Sequence, residues 1–320
     1  MALDSLEKQV PPELSGHRLD QALARMFPDY SRSRLKSWVL QGNVLVDNRE
    51  MRPRDAVSAG QTVIVRPQAE ISVISRPEPI ALDIALEDED FLVVNKPAGL
   101  VVHPGTGNTR GTLMNGLLHH VPALEALPRA GIVHRLDKDT SGLLLVGKTL
   151  AAHTALVRAL AERDISRHYL AVCAGVLTGG GKIDAPIGRH PVDRLKMSVQ
   201  ERGKPAVTHF RVRERFRGHT YIGVQLDTGR THQIRVHFAH RRNPLVGDPV
   251  YGGRLAIPAG ATEALKTMLR TFRRQALHAT RLSFAHPRSG DAVEKESPPP
   301  ADFEELLGIL RADAADMDRP

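Results

Sequence analysis

Three prolines, Pro67, Pro77 and Pro79, make one stretch of the chain stiff and extended, and this limits what the rest can build. A short segment before that stretch and a long one after it must each find their own core. After Ile80 the apolar runs are short and β-rich, at residues 91–95, 142–146, 169–173 and 221–226, and they do not alternate regularly with long helices. That rhythm excludes a doubly wound parallel fold and predicts an α+β domain with a mixed, largely antiparallel sheet.

The N-terminal segment reads as two helices and a small sheet. Leu19, Leu23 and Met26 recur at helical spacing, and residues 31–41 form a second helix that Ser31 could cap and Gly42 ends. Residues 44–46 and 62–65 are strands, with a turn at Asp47 and Asn48. Arg18, Arg25, Arg32, Arg34 and Lys36 give this small α/β unit a basic side. At the other end, Leu306, Leu307 and Leu310 predict an amphipathic helix after Phe303. The expected organisation is a small domain at 14–66, a linker at 67–79, a large domain at 80–312 and an acidic tail at 313–320.

Composition narrows the class. With 41% apolar residues the chain can bury a sizeable core. Lys and Arg outnumber Asp and Glu by 44 to 36, a net charge of +8 that suits a polyanionic partner. The basic excess concentrates in residues 189–242, while residues 291–320 are acidic, so one basic face is expected. The single cysteine, Cys173, rules out a disulfide within the chain and sits in an apolar run as core packing. Residues 1–16 lack a signal peptide's apolar stretch, and no run approaches the ~20 residues of a membrane span. A cytoplasmic protein is expected.

Residues 131–148 read GIVHRLDKDTSGLLLVGK, a polar cluster running straight into an apolar strand. Polar groups on a loop fixed by a rigid element are well placed for catalysis, although taken alone Asp137, Asp139, Thr140 and Gly142 also suit an ordinary turn. His232, His237 and His240 crowd another segment, but neither a His-Glu-x-x-His run nor a cysteine pair accompanies them, so no metal is expected. No phosphate-binding glycine loop or dinucleotide fingerprint is present; the closely spaced glycines at 105 and 107 read as a turn.

The N-terminal pattern, over residues 16–66, resembles the S4 RNA-binding domain. The run His134, Arg135, Leu136, Asp137, then Thr140, Ser141 and Gly142, resembles the central motif of the RluA/RluD family of pseudouridine synthases at every fixed position. Three further segments agree: Asn95-Lys96-Pro97 with His103-Pro104-Gly105, Arg167-His168-Tyr169, and residues 226–237 continuing to Gly247-Asp248 and Tyr251-Gly252. The resemblance covers nearly all of residues 14–312 and is strongest to the type that modifies helix 69 of large-subunit (23S) ribosomal RNA.

The resemblance implies the pseudouridine synthase fold and an isomerase that breaks the uridine glycosidic bond, turns the uracil and rejoins it through carbon. That reaction involves no redox step and no external group, so no cofactor is needed. One carboxylate suffices, acting as nucleophile or as base toward the ribose, and the resemblance assigns this to Asp137. It gives Arg230 as the guanidinium that offsets the cost of a carboxylate in a closed pocket. Tyr169 lies under the extruded base, with a possible second role as general base, and Arg135 fills the gap the flipped nucleotide leaves. Arg18, Arg32, Arg34 and Lys36 contact RNA. The implied partner is ribosomal RNA or an assembling large ribosomal subunit, and the expected protein is a monomer with neither metal nor membrane association. The rival reading, a non-catalytic S4-type ribosomal RNA-binding protein, explains the charge equally well. It does not explain an aspartate, an arginine and a tyrosine at matching motif positions. A metal-dependent RNA hydrolase lacks ligands.

Overall fold

The computed structural model describes residues 5–28, 30, 32–67, 76–105, 108–193 and 195–317, with backbone only at 33, 34 and 317. It separates into two compact units, Met1–Ile74 and Ser75–Pro320.

In the first unit the apolar alternation at 44–46 and 62–65 yields β2 (Val44–Val46) and β4 (Thr62–Val65). These join β1 (Leu6–Gln9) and β3 (Arg49–Glu50) in the order β1-β4-β2-β3. Asp47 and Asn48 both have positive φ, 50° and 61°, the conformation a tight hairpin turn demands. Helices α1 (Leu19–Met26) and α2 (Arg32–Leu40) pack on this sheet through Leu19, Leu23, Met26, Leu35 and Trp38. The proposed cap Ser31 lies outside the described residues. Val10 belongs to the same core, so the unit begins before residue 14.

The second unit is built on one mixed sheet. Its strands are β5 (Ile84–Glu87), β6 (Phe91–Lys96), β7 (Ser141–Gly147), β8 (Ser166–Ala174), β9 (Gly181–Asp184), β12 (Val207–Arg215), β13 (His219–Leu226), β14 (Leu277–Ala285) and β15 (Ala292–Glu296). The order is β5-β6-β7-β14-β8-β13-β12-β9, with β15 pairing β14, and every pairing is antiparallel except β7 with β14. A small hairpin, β10 (Ile187–Arg189) with β11 (Met197–Val199), stands apart from it. Helices α3 (Leu113–His120), α4 (Leu150–Glu162), α5 (Gln233–His240), α6 (Glu263–Thr271) and α7 (Ala301–Met317) complete the unit.

All seven residues of β7 are buried, as expected of a strand covered on both faces. On β8, Tyr169, Ala171 and Cys173 turn to one face and its core, whereas Leu170 and Val172 turn to the other, under α6 and α7. No described helix is long and apolar enough to cross a membrane.

Two expected boundaries differ. Part of the linker belongs to the second unit: Asn115 donates to the Arg76 carbonyl and the Glu78 N–H donates to the Asn115 carbonyl, so residues 76–79 are pinned on α3. The acidic tail expected from 313 is instead the end of α7. Asp313 is 1% exposed, pairs with Arg217 at 3.0 Å and accepts from Thr262 N–H at 2.7 Å. Its acidity serves a buried ion pair rather than a solvated tail.

Candidate active site

The residues from His134 to Thr140 form the loop entering β7. Gly142 marks where that loop can become a strand: its φ is +110°, and a Cβ there would sit 2.2 Å from the Ala279 carbonyl oxygen on β14. Neighbouring side chains fix the approach. Gln275 Nε2 donates to Thr140 Oγ1 at 3.0 Å. His278 must donate from Nε2 to the Ser297 carbonyl, which leaves Nδ1 to accept from Ser141 Oγ at 3.0 Å. His134 Nε2 accepts from the Leu145 N–H at 3.0 Å, and burial pushes its pKa down to about 3, so the ring is a neutral strut.

Beneath the loop lies Lys96, which is fully buried. Its ammonium donates to the carbonyls of Pro97, Leu100 and Lys138 at 2.7, 3.0 and 2.9 Å. Burial lowers its pKa to about 8, with Asp139 and Asp137 opposing. The lysine thus ties the residue after Asp137 to the end of β6.

Asp137 projects into a cavity of about 970 Å³, room for more than one nucleoside. Its Oδ2 accepts from Arg235 Nη1 at 3.0 Å, and its Oδ1 lies 3.8 Å from His232 Nε2. Arg235 is itself bound bidentately by Asp248, at 2.7 and 2.9 Å, and Asp248 also accepts the N–H groups of Val250 and Tyr251. Burial alone would raise the Asp248 pKa, but Arg235 and these amides outweigh it and hold the group low. Burial opposes the charge on Arg235 too; its two carboxylates prevail and raise its pKa.

The partner of Asp137 is therefore Arg235 and not Arg230. Arg230 precedes His232, whose left-handed φ of +57° resets the chain direction before α5 begins. Arg235 then falls in the first turn of α5 facing Asp137, while Arg230 Nε donates to the Pro205 carbonyl at 3.0 Å. Gln233 secures this geometry by accepting from Thr228 Oγ1 and Arg230 N–H while donating to Val207 O and Thr208 Oγ1. Tyr251 Oη accepts from Met197 N–H at 2.9 Å and shares a 2.7 Å hydrogen bond with His232 Nδ1, which holds the ring with its Nε2 edge toward Asp137. Burial keeps His232 below its usual pKa. Neither His232 nor Tyr251 was singled out from sequence as lining the site.

Tyr169, 6% exposed, lines the cavity from β8. Burial raises its pKa, Arg167 acting against this and Asp137 with it. It stays a phenol at neutral pH. Arg135 is exposed on the cavity rim. His237 is held away, bonded to Thr208 Oγ1 and the Ala185 carbonyl, both at 2.9 Å.

In the N-terminal unit Arg18 and Arg32 both pair with the buried Asp20, at 3.1 and 2.7 Å, yet keep about half of their side chains exposed. Lys36 is exposed, and the side chain of Arg34 lies outside the described residues.

The cavity thus brings together Asp137, the doubly bound Arg235 and the buried Tyr169, where the motifs had given Arg230 as the arginine. The RNA pseudouridylate synthase family matches residues 90–240 and the S4 domain family residues 17–63. The chain is 54% identical over 315 residues to Ribosomal large subunit pseudouridine synthase D of Xanthomonas campestris pv. campestris, covering 98% of this chain and 95% of that one. It is 54% identical over 299 residues to the Escherichia coli (strain K12) protein of the same name, covering 93% and 92%. Among solved structures, Human RNA Pseudouridylate Synthase Domain Containing 4 superposes with a TM-score of 0.56 at 26% identity, over 71% of this chain and 92% of that one. Sequence motifs, sheet topology and relatives converge, and the chain belongs to the RNA pseudouridylate synthase family, whose members isomerise uridine to pseudouridine in RNA.

Proposed function

We propose that this enzyme modifies large-subunit ribosomal RNA in the cytoplasm, with helix 69 as the target stem-loop, and that Asp137 is its catalytic carboxylate. The observation that carries the assignment is the asymmetric binding of Asp137. Arg235 holds Oδ2, while Oδ1 makes no hydrogen bond within the described residues and faces the cavity. An oriented carboxylate with one oxygen free suits attack at the ribose or removal of a ribose proton. Arg235 offsets its charge, and Asp248 prevents Arg235 from wrapping both oxygens.

The stacked target base must leave the helix to reach this carboxylate. Tyr169 supplies the flat surface beneath it, and the exposed Arg135, two residues before Asp137, fills the gap in the stack. The S4 unit adds affinity through Arg18, Arg32 and Lys36, whose phosphate contacts carry no chemistry. The relatives named for the large ribosomal subunit support the choice of RNA. Tritium release from a helix 69 stem-loop labelled at uracil C5 tests the proposal. Turnover by the wild type, abolished in Asp137→Asn, is expected. Turnover of unrelated stem-loops at the same rate would defeat the substrate assignment, and an active Asp137→Asn would defeat the catalytic one.

A further inference from the structure

Arg167 is 7% exposed and lines the cavity on the same face of β8 as Tyr169. Among the described residues its guanidinium makes no salt bridge and no hydrogen bond, and its Nε is buried with no partner at all. Arg235, almost equally buried, has two carboxylates. A desolvated cation without an anion is a large cost, which folded proteins otherwise meet by pairing. The space for the Arg167 head is nonetheless kept open: at Gly229, across the cavity wall, a Cβ would stand 2.7 Å from Arg167 Nη1. Arg129 and Arg163, also on this cavity and without a carboxylate partner among the described residues, extend the same basic wall.

We propose that Arg167 binds a phosphate of the target nucleotide, and that the phosphodiester entering with the extruded uridine is the anion missing from the free enzyme. Uridine itself is neutral, and a carbonyl of the base would leave the buried charge unbalanced; the RNA backbone is the one part of the substrate that carries a matching charge. Arg167 is then a positioning residue. It anchors the sugar–phosphate while Tyr169 and Asp137 address the base and ribose. This rests on the reading of the cavity as the site that receives the flipped nucleotide.

Two measurements on the full chain test it. Thermal melting of the free protein comes first: Arg167→Met removes an unpaired buried charge and raises the melting temperature, whereas a lower one would mean the guanidinium has a structural partner and would overturn the proposal. The second pairs variants with RNA stem-loops carrying one neutral methylphosphonate 5′ or 3′ to the target uridine. The neutral linkage at one of these positions lowers wild-type kcat/KM on the order of 10- to 100-fold. Arg167→Met suffers a similar loss on unmodified RNA and little further loss on the neutral linkage. Arg167→Lys, which keeps the charge, retains part of the linkage effect, and Gly229→Ala, which displaces the guanidinium, diminishes it. An equal linkage effect in wild type and Arg167→Met at both positions would refute the phosphate contact. Failure of the wild type to turn over the unmodified stem-loop would instead count against the helix 69 assignment, leaving the melting comparison to decide on Arg167.

Discussion

The two sides of the cavity are finished to different degrees. On one, Asp137, Arg235 and Asp248 form a chain of charges in which each buried group has a partner in the protein. On the other, Arg129, Arg135, Arg163 and Arg167 have no carboxylate among the described residues. The first arrangement has its charges paired without ligand, so that removing one partner strands another. The second is incomplete until an anion arrives, so its residues serve binding at some expense to stability. A residue's effect on the free protein should therefore reveal which side it belongs to.

Asp137→Asn gives the largest effect on turnover, with tritium release falling roughly a thousand-fold or more while RNA affinity in a filter-binding assay changes little. Arg235→Met comes next and strikes both properties. It strands the fully buried Asp248, costing about 3–5 kcal/mol in denaturant titration, and lowers turnover roughly a hundred-fold by freeing Asp137. If Arg235→Met melted like the wild type, the charge chain would not be the stabilising half of the comparison.

Lys96 supplies a pH-dependent case. Its folded pKa, lowered to about 8 by burial, lies below the unfolded value, so between pH 8 and about 10.5 the unfolded state binds more protons and this residue's contribution rises with pH. Wild-type stability measured against Lys96→Met should therefore increase across that interval by up to about 3 kcal/mol. A flat difference would remove Lys96 from the set of desolvated charges. The smallest effects belong to the exposed arginines. Arg129→Gln and Arg163→Gln should each leave stability within about 0.5 kcal/mol. Each should also reduce the slope of log K against log salt by about 0.7–0.9 if it contacts a phosphate. Arg230→Met, whose Nε bonds only a backbone carbonyl, should cost turnover much less than Arg235→Met.

The strands were legible because apolar runs such as 142–146 and 169–173 have a period and length that few other structures satisfy, and the place of Asp137 on the loop entering β7 was legible because a polar cluster runs there straight into an apolar strand. Arg235 was not. Two arginines lie within one short segment, and the choice between them depends on a left-handed turn at His232 that no propensity announces. A signal existed: Asp248, in a segment already marked, is an acid that once buried needs a cation. Asp313 was misread for a related reason, since an acidic composition near the end of a chain does not reveal that one of its acids faces Arg217. Arg167 stood in plain view as the basic member of a motif, but its lack of a partner is a property of three dimensions.

The parallel pairing of β7 with β14 bears on the order in which the enzyme can come into being. The loop that carries Asp137 is clamped by Gln275 and His278, contributed by chain that follows it by more than a hundred residues. During synthesis, β7 has its neighbour β6 long before β14 leaves the ribosome, so one edge of the most buried strand waits open. Contacts of this separation fold slowly, because loop closure must precede their reward. A nascent chain that stops short of β14 has every residue of the central motif but lacks the Gln275 and His278 contacts to Thr140 and Ser141, and it leaves that edge of β7 open to other strands.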